Sequence, residues 1–230
     1  MSPQIVGIIQ TKGGAGRSTL ATNLAANFSR RMPTTLIDCD LPQGTSSSWY
    51  ALRRAELLSQ DLFLATAHDY LELVQKVKES AAISECLIID GPPRLAEMTR
   101  AIMILSNLCL IPLGASAAEI WSTTDLLQTL EEARGYKADV DARLVWTRFR
   151  AYTREAQELN EAVEKGLNLR DLRTRLGYRV AFSEALARGL SVEEVSDRAA
   201  QSEMLGLAKE VEDILMEKAR WVSKEKARQL

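Results

Sequence analysis

Gln10-Thr11-Lys12-Gly13-Gly14-Ala15-Gly16-Arg17-Ser18-Thr19 is the stretch of this 230-residue chain whose residue types and spacing could do chemistry. Glycines let a backbone curl until successive N–H groups point inward, and a helix starting just after them adds its positive end. Such a cradle takes phosphate, and Ser18 is placed to offer a hydroxyl to Mg²⁺. Three carboxylates end apolar runs downstream: Asp38 and Asp40 in Asp38-Cys39-Asp40, and Asp90 after Leu87-Ile88-Ile89. At the C-terminal end of a strand in an open α/β sheet a carboxylate lies where ligands bind. Alone, an aspartate there is more often a helix cap or turn residue. Behind a phosphate loop, two such motifs read instead as parts of a phosphoryl-transfer site, which needs Mg²⁺, cations and a placed nucleophile.

The elements that must position these groups are legible. Ile5 to Gln10 reads as a buried strand, followed by the glycine turn and a helix in which Leu20, Leu24 and Phe28 form one apolar stripe. Further strands are predicted at 34–38, 62–66, 86–89, 108–113 and 143–149, with helices at about 69–81, 95–105 and 117–134. Apolar strands alternating with helices predict a single-domain α/β P-loop NTPase with a mostly parallel central sheet flanked by helices and a helical C-terminal end. No repeat or linker divides the chain, so 1–230 reads as one domain with 217–230 a basic terminal helix or tail. Hydrophobic residues make up 46% and charged residues 26%, with a net charge of −2, so any nucleic-acid surface must be a local patch. The cysteines, Cys39, Cys86 and Cys109, sit in strand-like runs without metal-ligand spacing. No leader pattern or apolar run of membrane-spanning length occurs, and a cytoplasmic setting is expected.

Against the general loop G-x-x-x-x-G-K-[ST], Thr11 replaces the first glycine and Arg17 the lysine; against K-G-G-x-G-K-[ST] only Arg17 differs. That deviant loop characterises the ParA/MinD family of ATPases, which the chain resembles, most closely its small ParA-type partition and cargo-positioning members. The resemblance implies ATP and Mg²⁺ as cofactors, with Lys12, Gly13, Gly14, Ala15, Gly16, Arg17, Ser18 and Thr19 around the phosphates. It implies that Lys12 reaches across a nucleotide-sandwich homodimer to the partner's phosphates. It places Mg²⁺ on Ser18, on Asp38 through water and on Asp90, and gives Asp40 the task of orienting the attacking water. The family pattern D-x-D-P-Q is met with one extra residue, Leu41. Thr147 and Arg148, ending the sixth predicted strand, correspond to the adenine-recognising position. Arg17 keeps the loop's charge but exchanges a compact ammonium for a planar, bidentate group, which predicts retained nucleotide binding and slow turnover.

ParA-type proteins bind DNA without sequence preference when ATP-bound, and an adaptor protein stimulates their hydrolysis. Here nine basic residues lie between Arg143 and Arg179, and a second group lies in the terminal helix. Arg170, Arg173, Arg175, Arg179, Lys218 and Lys224 are the candidate DNA contacts, and a nucleoid-associated location follows by resemblance. Interspersed acids make a plain solvated face the competing reading. The tail around Trp221 has too small an apolar face for membrane binding. A chain starting almost at its first strand is not expected to repress a specific operator alone. Two other classes stay open: a metabolic enzyme on the same fold, such as an ATP-dependent ligase, and a nucleotide-binding scaffold that Arg17 prevents from hydrolysing.

Overall fold

Side-chain alternation along the strands sends successive residues to opposite faces of one sheet, and helices cover both. The computed structural model describes residues 2–56, 61–114, 117–150 and 169–228, with the side chains of 117–122, 124 and 221–228 outside the described set. The elements run β1 (Gln4–Ile8), α1 (Arg17–Phe28), β2 (Thr34–Asp38), α2 (Thr45–Ala55), β3 (Leu62–Thr66), α3 (Tyr70–Ser80), β4 (Cys86–Asp90), α4 (Ala96–Leu105), β5 (Leu108–Gly114), α5 (Ala117–Tyr136), β6 (Ala142–Thr147), β7 (Arg170–Asp171), α6 (Val180–Ala187), a short 3-10 turn (Val192–Glu194) and α7 (Arg198–Arg228). All strand pairs are parallel, in the order β3-β2-β4-β1-β5-β6-β7. Chain leaving β1 turns toward β2 and chain leaving β5 toward β6, so a crevice opens at the C-terminal ends of these neighbours.

Val6 and Ile8 face one layer, shared with Leu20, Leu24 and Phe28 of α1, Trp49 of α2, Phe182 of α6 and Leu207 and Val211 of α7. Ile5 and Ile9 face the other, with Leu73, Ile102, Met103, Leu126 and Trp146. Fully burying one such large apolar side chain contributes about 1.5–3 kcal/mol, so the α1 stripe alone anchors the helix that starts at the phosphate loop. The three cysteines are buried and unpaired by disulfides, and Met103 is core. Among the described residues no helix is long and apolar enough to cross a membrane.

Two departures from the sequence reading follow. The sheet has a seventh strand, β7, and extended chain from Asp171 to Arg179, where a mainly helical end was expected. The helix α2 was not foreseen because Thr45-Ser46-Ser47-Ser48 has low helix propensity; it forms because Trp49 and Arg53 bury on its inner face. Residues 217–228, expected as a basic terminal helix or tail, continue α7.

Candidate phosphate-binding site

Gly14 (φ 76°) and Gly16 (φ 97°) occupy the left-handed region that favours glycine, and they turn the loop between β1 and α1. A Cβ at Gly13 or Gly14 would meet nothing within 4 Å, so the backbone borders open space there. Gly16 caps α1 without any side-chain hydrogen bond. The first N–H groups of α1 are therefore left to a ligand or solvent, at the end of the helix that favours an anion. Gln10 fixes the loop's start: Nε2 donates to the Pro112 carbonyl (3.2 Å) and to Thr123 Oγ1 (3.3 Å), while Oε1 accepts from the Thr11 N–H (2.8 Å). Lys12 forms no ion pair among the described residues, whereas Arg17 is turned inward and buried.

Register brings the acids alongside. Asp38 and Asp90 are direct partners across β2 and β4, and Asp90 also pairs with Ile8 at the end of β1. Asp38 is fully buried and accepts three hydrogen bonds: Oδ1 from the Asp40 N–H (3.0 Å), Oδ2 from the Ser47 N–H (2.8 Å) and hydroxyl (2.7 Å). It thereby ties the end of β2 to the first turn of α2. Asp90 is buried too, and its Oδ2 accepts from Ser46 (2.7 Å) while Oδ1 has no partner. Burial pushes its pKa up to about 7, against the opposing pull of the Ser46 and Ser18 hydroxyls. Cys39, between the acids, is pushed far above its ordinary range by burial and then by Asp90, Asp38 and Asp40, and is no nucleophile. Ser46 and Ser47 are the site residues that the sequence reading missed; a Gly-Thr-Ser-Ser run beginning a helix just beyond an acidic strand end is the signal that could have found them.

At the other rim, Thr147 Oγ1 donates to the Ala15 carbonyl (3.1 Å), locking the end of β6 to the loop. Arg148 follows with φ 51° and is exposed. Beside them a cavity of about 270 Å³ is walled by Gly16, Leu20, Thr147, Arg148, Leu176, Tyr178, Val180, Phe182 and Leu186. Loop, both acidic strand ends and this cavity share one edge of the sheet.

Residues 6–192 match the CobQ/CobB/MinD/ParA nucleotide binding domain. The chain belongs to that family. Among its relatives, the maintenance of carboxysome distribution protein A of Halothiobacillus neapolitanus is 27% identical over 192 residues, covering 83% of this chain and 87% of its own length. The ATP complex of a Cyanothece McdA variant has a TM-score of 0.74 at 16% identity, over 91% of this chain and 96% of that one. A putative plasmid partition protein of Borrelia burgdorferi bound to AMPPNP scores 0.71 at 19% identity, over 94% and 99%. The two structures show that the ParA/MinD fold is shared, and ParA/MinD members are ATPases.

Of the six basic candidates for DNA, three are engaged with other groups of this ParA/MinD chain. Arg179 is held by Glu203 (2.7 Å), Lys218 by Asp141 (3.1 Å) and the Asn107 carbonyl, and Arg175 lies over Phe149 and Trp146 near Asp171. Arg170 and Arg173 are exposed, with no ion pair among the described residues. Lys224 lies in α7, with its side chain outside the described set. No group of three His, Cys, Asp or Glu side chains able to hold a metal occurs among the described residues.

Proposed function

We propose that the chain is an ATP-dependent switch of the cargo-positioning kind, closing as a homodimer on Mg²⁺·ATP, holding DNA without sequence preference, and released by hydrolysis that an adaptor protein stimulates. The observation that supports it best is the pairing of an uncapped, glycine-lined helix start with a buried Asp90 whose Oδ1 lacks a partner. A buried carboxylate oxygen without a partner is costly, and a hydrated divalent cation would satisfy it. The residues present therefore fit Mg²⁺·ATP.

When bound, Mg²⁺·ATP supplies a transferable phosphoryl group and neutralises its developing charge. The N–H groups from Gly13 to Ser18 hold the phosphates. The Ser18 hydroxyl and Asp90 face the metal position, directly or through water. Asp38 holds Asp40 and α2 in place and would meet Mg²⁺ through water. Asp40 accepts a hydrogen bond from the water and orients it. The cavity between Thr147, Arg148 and α6 takes the base, its apolar walls covering the ring faces. Lys12, which forms no ion pair among the described residues, is available to the partner subunit's phosphates. Arg170 and Arg173 are the basic residues best placed for DNA.

The reading is tested by binding to arbitrary duplex DNA without nucleotide, with ADP and with ATP plus Mg²⁺, over a salt series, alongside sedimentation to read the dimer. Salt-sensitive binding only with ATP is expected. Tight ATP binding with neither dimer nor DNA complex would move the chain to the ligase class of its family.

A further inference from the structure

Arg17 stands where the family loop carries lysine, and its surroundings show what the exchange accomplishes. The side chain is 5% exposed. Nη1 donates to the Gln10 carbonyl (2.7 Å) and the Lys12 carbonyl (2.7 Å), and Nη2 to Asp40 Oδ2 (3.3 Å). Asp40 is itself only 14% exposed at its side chain. Nε is buried without a partner. A guanidinium offers five N–H groups in a rigid plane, two on each terminal nitrogen and one on Nε. Both Nη1 hydrogens are committed to the loop, one Nη2 hydrogen to Asp40, and Nε faces no acceptor. One Nη2 hydrogen remains, on the nitrogen that also holds the carboxylate.

A lysine ammonium concentrates three donors on a single atom. Seated on the two loop carbonyls it would have one hydrogen left, to be given to a phosphate or to Asp40 but not to both. The fork of arginine spans the distance that the point charge cannot. The Asp40 backbone is fixed independently, its N–H on Asp38 and its carbonyl accepting from Gly44. Its carboxylate has no other charged partner among the described residues.

We infer that Arg17 is the positioning residue for Asp40: it bolts the carboxylate that orients water to the phosphate loop, and keeps one Nη2 hydrogen for the terminal phosphate. The inference rests on the phosphoryl-transfer reading above and deepens it. Arginine at this place then supports turnover through Asp40, and the more usual lysine would be the poorer residue in this particular site.

The test is a cycle of wild type, Arg17→Lys, Asp40→Asn and the double variant. Each is measured for Mg²⁺·ADP affinity by displacement of a fluorescent nucleotide, for single-turnover ATP hydrolysis over hours, and for unfolding midpoint in urea without nucleotide. Arg17→Lys is expected to hold Mg²⁺·ADP affinity within about threefold and to lose about tenfold or more in hydrolysis, since each factor of ten is only ~1.4 kcal/mol of transition-state stabilisation. The double variant should hydrolyse no more slowly than the slower single one. Arg17→Lys turning over as fast as wild type, or losses that multiply in the double variant, would overturn the positioning role. So would urea midpoints that are additive across the cycle. Failure of wild type to bind nucleotide would sink the switch itself, and the inference with it; binding with normal hydrolysis in Arg17→Lys sinks the inference alone.

Discussion

Asp90 is the residue where burial and function conflict. Its pKa is raised from 3.8 to about 7, first by burial, so between about pH 4 and 7 the native apoprotein keeps a proton that the unfolded chain has lost. Unfolding free energy then falls as pH rises across that window, by at most about 1.4 kcal/mol per unit, and levels off above it. Asp90→Asn should remove this slope. Without nucleotide or divalent cation, the variant is expected to match wild type near pH 5 and to exceed it in stability at pH 8, as read from urea unfolding. A slope unchanged by the substitution would show that Asp90 titrates normally. Ser46→Ala takes away the 2.7 Å hydrogen bond to Asp90 and should lower nucleotide affinity in Mg²⁺ by about tenfold while leaving affinity in chelator unaltered. Equal losses in both media would place Ser46 outside the metal's reach.

At the scale of elements, α2 is the part that sequence concealed and the part on which the acidic end depends. Its first turn meets Asp38 and Asp90 through Ser47 and Ser46. Its last turn carries Arg53, buried, with Nη1 and Nη2 on Glu194 (2.8 and 2.9 Å), Nη1 also on the Gly189 carbonyl, and its guanidinium over Trp49. Gly189 has φ 69°, and a Cβ there would lie 2.6 Å from the Arg53 amide nitrogen and 2.8 Å from Leu52 Cβ. Gly189→Ala combines left-handed strain with backbone overlap and should cost about 2–4 kcal/mol of stability. It should weaken nucleotide binding as well if α2 shifts; an unfolding midpoint within error of wild type would mean that the junction yields freely. The parallel strands were readable because each is a short apolar run, and β2 and β3 were placed at their observed bounds. β7 and α2 were not, because Arg170-Asp171 and a Thr-Ser-Ser-Ser start carry no apolar period; the neighbours they bury against decide them. Motif spacing singled out the loop and the three aspartates as candidates, and the sheet register brings them to one end of the strands. The inward turn of Arg17 onto Asp40 and the hold of Asp38 on the first turn of α2 come from the folded loops, which no motif spells out.

For the molecule as a whole, a net charge of −2 leaves DNA attraction to local groups. Arg170→Ala with Arg173→Ala should weaken ATP-dependent DNA binding and flatten its salt dependence by about one to two in log–log slope. Arg179→Ala, which breaks the Glu203 pair, should act on stability instead; equal DNA losses from both would spread the interface over α6. One feature of the architecture carries a consequence in time. The helix leading out of the phosphate loop, α1, has its apolar stripe roofed by α7, made long after it, and β1 lies between β4 and β5. At about 5–20 residues per second a ribosome needs roughly 10–40 s to go from the loop to the end of α7. Through that interval Leu20, Leu24 and Phe28 lack their final cover, so the core beneath the phosphate loop is completed only once α7 has been made. A message broken before α7 therefore yields a client for chaperones and proteases rather than a half-built competitor for ATP.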